Sequence, residues 1–189
     1  IADRIAEDMA ANSGLITKAD LADYKAVERA PVKGTFLGYE IISMPPPSSG
    51  GIALIEMLNI LEEMGIQKTK HGSAEALHLV AEAMRRAFLD RARFLGDPDF
   101  VEVPVAKLTS KQHAKELAKG VSLTKASSSV ELGKDIITVQ LPAESEETTH
   151  FSVIDKDGMA VTNTYTLEGG YGSHVVIKGT GILLNNEMG

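Results

Sequence analysis

Residues 147 to 167 constrain the chain most, because a turn in their middle decides which side chains can meet. Phe151-Ser152-Val153-Ile154 is a short run suited to a strand. Asp155-Lys156-Asp157-Gly158 is a strong turn signal, and Met159 to Leu167 resumes a strand rich in Val, Thr and Tyr. The stretch reads as a β-hairpin with its turn centred near Lys156 and Asp157. Folding back about that point sets Thr148 opposite Tyr165, or opposite Thr166 if the turn carries a one-residue bulge. Either way two threonines meet at the open end of the hairpin. A polar tract runs into Thr148, which is expected to be buried. Its residue type alone makes it a strand threonine. Its place at the end of that tract makes it a candidate nucleophile, released by cleavage of the bond before it.

The preceding chain reads as mostly helical. Ile1, Ile5 and Met9 give the first helix one apolar stripe, ended by Ser13-Gly14. Thr17 to Asp20 is a capping-box-like start for a second helix running to Tyr24. Thr35 to Leu37 and Tyr39 to Met44 are two extended segments about Gly38. Pro45-Pro46-Pro47-Ser48-Ser49-Gly50-Gly51 then leads into an apolar helix from Ile52 to Met64. That loop is either an anion cradle at a helix N-terminus or a tight connection under a packed neighbour. It lacks the Lys-Ser/Thr of a phosphate loop.

Ser73 to Leu95 predicts the longest helix. Leu77, Ala81, Met84, Phe88, Ala92 and Leu95 are expected to face the core. Glu82 and Arg86 form an i,i+4 pair of small value. A further helix runs from Ser110 to Lys119. Residues 120–147, rich in Ser, Lys and Glu, read as a mobile connector. The last residues alternate Gly-rich turns with Val175-Val176-Ile177 and Ile182-Leu183-Leu184, which suggests a buried antiparallel sheet.

Composition narrows the function classes. A net charge of -7 argues against nucleic acid as a partner. The absence of cysteine excludes disulfides and a Cys nucleophile. No run of about 18 apolar residues is present to span a bilayer. His71, His78, His113, His150 and His174 are dispersed, and no metal site is expected from them. His150, on the strand face of Thr148, reads as a packed histidine.

Four blocks, in order along the chain, resemble γ-glutamyltransferase (γ-glutamyl transpeptidase) of the N-terminal-nucleophile hydrolase superfamily. They are Gly14 to Leu21 with Tyr24, Met44 to Gly51, Thr148 to Leu167, and Gly181 to Met188. The resemblance implies an α+β fold, part of a four-layer αββα sandwich. It implies a precursor that cuts itself at Glu147–Thr148. Residues 1–147 would then be the later half of a large subunit, with the connector at 120–147, and 148–189 the start of a small one. The two subunits would stay paired after cleavage.

By the same resemblance Thr148 is the nucleophile and Thr166 its hydrogen-bond partner. Glu187 would hold the α-amino group of a γ-glutamyl donor. Glu168 stands where many members have Asn and some, including capsule-processing relatives, have Glu. Glutathione or other γ-glutamyl amides are expected as donors, with an amine, amino acid, peptide or water as acceptor. No cofactor is implied, and the expected location is periplasmic or extracellular. The family's substrate-binding Arg would lie before residue 1, and its second α-amino ligand and oxyanion serines after Gly189. The chain is thus expected to be an incomplete, inactive precursor piece. The alternatives are a non-catalytic relative, or an amidase acting on a cephalosporin-type or poly-γ-glutamate substrate.

Overall fold

The computed structural model describes residues 1–136 and 148–186, arranged in two compact units. One comprises residues 28–138 and the other residues 1–27 with 139–189.

The first unit is a helical layer built on a small hairpin. Strands β1 (Val32–Phe36) and β2 (Tyr39–Ser43) pair antiparallel, with Phe36 opposite Tyr39. Leu37 and Gly38 both adopt positive φ, as a two-residue hairpin turn requires. Helix α1 (Gly50–Glu63) lies against this hairpin and buries Ile52, Ile55 and Ile60 completely or nearly so. Helix α2 (Ala74–Phe94) packs on α1 and starts where the Ser73 hydroxyl accepts the Ala76 N–H at 3.2 Å. Short helix α3 (Val105–Leu108) and helix α4 (Lys111–Ala118) close the layer. The Ser110 hydroxyl caps α4 by accepting the His113 N–H at 3.1 Å. Two apolar clusters result. Ile60, Leu61, Leu79, Ala83 and Ala114 form one, and Val32, Ile52, Ile55 and Leu108 the other.

The start of α1 resolves the two readings of the Pro-Ser-Gly loop in favour of a tight connection. A Cβ on Gly51 would lie 2.0 Å from the Met44 carbonyl oxygen and 2.7 Å from Val32 Cγ2. Glycine is needed there because helix and hairpin backbones touch. Ser49 is the N-cap residue but makes no side-chain cap bond; its hydroxyl accepts from Arg91 Nε at 3.1 Å.

Three expectations are corrected in this unit. The face of α2 turned inward carries Ala76, Leu79, Ala83 and Ala87 together with Glu82, Arg86 and Asp90. Most of the apolar stripe expected inside is exposed instead, with Leu77, Met84 and Phe88 at 63%, 44% and 47%, while Leu95 packs half-buried against the second cluster. Both faces of α2 are partly apolar, so periodicity alone could not choose between them. The alanine face won because it lets α2 approach α1 closely. Second, Glu82–Arg86 is not a weak surface pair: the residues are 1% and 3% exposed and their charged atoms meet at 2.6 Å. Third, the described part of the connector is tied to α2. Glu82 accepts from the Ser127 N–H at 2.9 Å and its hydroxyl at 2.5 Å, and Arg86 donates to the Gly120 carbonyl at 2.8 Å. Arg93 holds Asp135 at 2.5 Å and the Leu132 carbonyl at 3.1 Å, beside a one-turn helix α5 (Ser129–Leu132). A polar composition predicts mobility, whereas here Ser127 and Gly120 are partners for the buried charges of Glu82 and Arg86.

The second unit contains helix α6 (Ala2–Ala11), helix α7 (Lys18–Asp23) and one β-ribbon. The capping box holds: the Thr17 N–H reaches Asp20 Oδ2 at 2.7 Å and the Asp20 N–H reaches Thr17 Oγ1 at 3.3 Å. The ribbon pairs β3 (Thr148–Ile154) with β4 (Ala160–Thr166). Beyond it, Val176 and Leu183 form only an isolated antiparallel bridge around a glycine-bearing turn, with Ile177 buried. The expected buried sheet is therefore not assembled among the described residues. His174, at φ +61°, breaks the first segment on the side away from the turn, where a ladder would have to extend.

Candidate active site

The ribbon register follows from its turn. The Asp155 N–H donates to the Met159 carbonyl at 2.9 Å and the Gly158 N–H to the Asp155 carbonyl at 3.1 Å. Gly158 sits at φ +88°. This is a three-residue loop with glycine in the left-handed position, the bulged form of a hairpin. The Asp155 carboxylate braces it by accepting from the Asp157 and Met159 N–H groups, each at 2.9 Å. The bulge selects one of the two registers open from sequence: Thr148 pairs with Thr166, not Tyr165.

Alternation then sorts the side chains. Thr148, His150 and Ser152 share one face with Thr162, Thr164 and Thr166. Phe151, Val153, Val161 and Tyr165 lie on the other. Counting back from the bonded Asp155–Met159 pair, Thr148–Thr166 falls on a position without ladder bonds, where opposite side chains come closest. The Thr148 hydroxyl accordingly donates to Thr166 Oγ1 at 3.2 Å. Thr166 Oγ1 also accepts the Glu168 N–H at 2.8 Å, which fixes its position from behind.

Two features differ from expectation. Thr148 is exposed, not buried, since among the described residues of its unit no third strand pairs with the ribbon. His150 is not packed in a core. Its Nδ1 lies 2.8 Å from Thr164 Oγ1 and its Nε2 lies 2.9 Å from Thr162 Oγ1. The imidazole continues the line of hydroxyls that begins at Thr148.

Glu168 stands just past the ribbon with φ +70°, an uncommon conformation for a residue with a side chain. Asn186 secures it. The Asn186 amide donates to the Glu168 carboxylate, its Oδ1 accepts the Gly169 N–H at 2.9 Å, and its N–H donates to the Leu167 carbonyl at 3.2 Å. The segment ending at residue 186 is thus joined to the open end of the ribbon. Close approach at Gly172 supports this: with φ +54°, a Cβ there would lie 2.1 Å from the Leu184 carbonyl oxygen. The contact of Asn186 with Glu168 spans 18 positions and no local pattern announces it. Glu147 and Glu187 lie outside the described residues. The structure therefore brings together Thr148, Thr166, Glu168 and Asn186.

The chemistry available is that of a hydroxyl whose direction is set by a second hydroxyl. A threonine oxygen needs a base before it attacks a carbonyl. Its own α-nitrogen becomes such a base only as a free amine.

Comparison with known proteins identifies the family. The family model described as Gamma-glutamyltranspeptidase matches residues 1–189. A "Glutathione hydrolase proenzyme" of Escherichia coli (strain K12) is 51% identical over 188 residues, covering 100% of this chain and 32% of the relative. Among solved structures, the γ-glutamyltranspeptidase of Helicobacter pylori aligns with a TM-score of 0.67 and 45% identity, over 69% of this chain and 37% of that one. A cephalosporin acylase from Bacillus halodurans aligns with a TM-score of 0.76 and 25% identity, over 98% of this chain and 31% of that one. These likenesses bear out the α+β N-terminal-nucleophile hydrolase class. The chain spans about a third of the length of the curated relatives it matches. Within that span the chain belongs to the γ-glutamyltranspeptidase family.

Proposed function

We propose that this chain is the junction region of a precursor whose mature form transfers or hydrolyses γ-glutamyl groups through Thr148. The observation that carries the reading is the 3.2 Å contact between the Thr148 and Thr166 hydroxyls at the open end of the ribbon. In the uncut chain Thr148 Oγ attacks the Glu147 carbonyl carbon and the C–N bond breaks. The nitrogen takes up a proton and an ester remains. Water hydrolyses that ester, leaving a Glu147 carboxylate and a Thr148 amine. The amine, with an ordinary pKa of about 7.7–8.0, is partly neutral near pH 7 and serves as the base for its own hydroxyl. Thr148 Oγ then accepts the γ-glutamyl group from an amide and passes it to an amine or to water. Thr166 orients Oγ in both reactions. Glu187 binds the donor's α-amino group, and Glu168 contributes to the donor site. Under this reading residues 1–147 and 148–189 belong to separate, paired chains after cleavage, in a protein exported to the periplasm or beyond the cell.

Mass spectrometry of the full-length protein tests this. It should find two chains, the smaller beginning at Thr148, and Thr148→Ala should stay intact. A wild type that stays whole through prolonged incubation defeats the proposal and leaves a non-catalytic relative. The acylase likeness favours a second reading, an amidase for other acyl groups. Release from non-γ-glutamyl anilides alone would select it.

A further inference from the structure

Away from the ribbon, three helices of the 28–138 unit bring Glu56, Asp90 and His113 together. Glu56 comes from α1, Asp90 from α2 and His113 from α4. One donor atom from each lies within 4.8 Å of the others. Glu56 is 1% exposed and Asp90 2%, and His113 lies at the edge with 14% of its side chain exposed. His113 Nε2 sits 2.6 Å from Asp90 Oδ2. Neither carboxylate oxygen of Glu56 has a hydrogen-bond donor. Three residues on along α1, Asn59 Oδ1 is also buried without a donor.

We propose that Glu56, Asp90 and His113 form a binding site for a divalent transition-metal cation of the zinc type.

An ionised carboxylate removed from water without a donor is among the costliest arrangements a core can hold. Here the Glu56 carboxylate also lies within 4.8 Å of the buried Asp90 carboxylate, so two like charges face one another. A divalent cation removes the conflict at its source, since two carboxylates and a neutral imidazole match its charge. One nitrogen and two oxygens from separate elements are a normal protein set for zinc, with a further position for water. Carboxylates alone would favour magnesium or calcium, and the imidazole shifts the preference toward zinc. Magnesium also keeps several waters, for which this enclosed cluster has little room. Binding requires His113 and Asp90 to part from 2.6 Å so that both face the ion. The half-open side of His113 supplies the path of entry. Two nearby cations oppose binding without occupying the site. Arg93 Nη1 is 3.7 Å from Asp90 Oδ1 while its Nη2 holds Asp135, and Lys107 Nζ stands 4.5 Å from the centre of the Phe94 ring.

The residues are 34 and 23 positions apart, so no sequence spacing announces them. They are independent of Thr148, and the test needs no activity. Full-length protein stripped with chelator would be titrated with Zn²⁺ by calorimetry, and with Co²⁺ for its visible absorption bands. One ion per chain is expected, with affinity falling at least about tenfold in His113→Gln, whose edge position keeps the helices folded by circular dichroism. Glu56→Gln provides a second reading at the buried end and should weaken binding as much. Zinc uptake that is absent in the wild type overturns the proposal and leaves a proton shared by Glu56 and Asp90 as the occupant. Equal affinity in wild type and both variants overturns it as well.

Discussion

Replacing Glu82 by Gln would test whether the charged face of α2 holds its unit together. The substitution keeps the shape and removes the charge. Burial by itself raises the Glu82 pKa. The hydrogen bonds from Ser127, then that of Arg86 and its charge, more than reverse this and hold the carboxyl at about 2 against an ordinary 4.5. At about 1.36 kcal/mol per pKa unit, that difference corresponds to about 3 kcal/mol of stability. Glu82 is 1% exposed, so solvent screening takes little from the figure. Breaking one side of a buried ion pair costs about 3–5 kcal/mol by mutation, which agrees. The folded pKa is the lower one, so the contribution is complete above about pH 4.5 and disappears as pH falls through about 2. Urea denaturation followed by helical circular dichroism should therefore show Glu82→Gln about 3 kcal/mol less stable at pH 7. At pH 3 the gap should close to about 1 kcal/mol, because wild-type Glu82 has lost most of its advantage. A deficit below about 1 kcal/mol at pH 7, or one independent of pH, would refute the reasoning.

Other perturbations address the ribbon and the helix start. Deleting Val153 keeps the loop and moves Thr148 opposite Tyr165, onto the other face of the ribbon; conversion to two chains, followed on gels, should stop while the helical signal stays. Processing at wild-type speed in that deletion would disconnect the register from the chemistry. Thr166→Val removes the oxygen that receives the Thr148 hydroxyl, a bond of about 0.5–1.5 kcal/mol, and should slow processing about 3- to 10-fold. An unchanged rate would remove Thr166 from the mechanism. Gly51→Ala drives a methyl into the Met44 carbonyl and should cost about 1–3 kcal/mol in urea, because backbone rather than a flexible side chain must move.

What sequence could reveal depended on how local the cause was. The Thr17–Asp20 capping box is written within four residues and formed as expected. The hairpin register was legible to within one residue, and the left-handed Gly158 made the final choice. The Thr148–Thr166 pair followed directly. The inward face of α2 was not legible, because its burial rests on partners 31 to 45 positions away: Leu117, Gly120 and Ser127. Glu82 and Arg86 look like surface residues until those partners arrive. The exposure of Thr148 had a similar origin. A strand pattern predicts a half-buried strand, yet it cannot say what covers the strand.

The alternation along the ribbon also sorts its backbone protons by how fast they exchange with water. Odd-numbered amides of β3, continuing from Asp155, point across to β4, while even-numbered ones point outward. In deuterated solvent the strand should lose protection at every second residue, with Phe151 and Val153 outlasting His150 and Ser152. Thr148 falls in the outward set. The nitrogen that becomes an amine on cleavage is therefore one that the ladder does not hold, and exposing it costs the ribbon none of its cross-strand bonds.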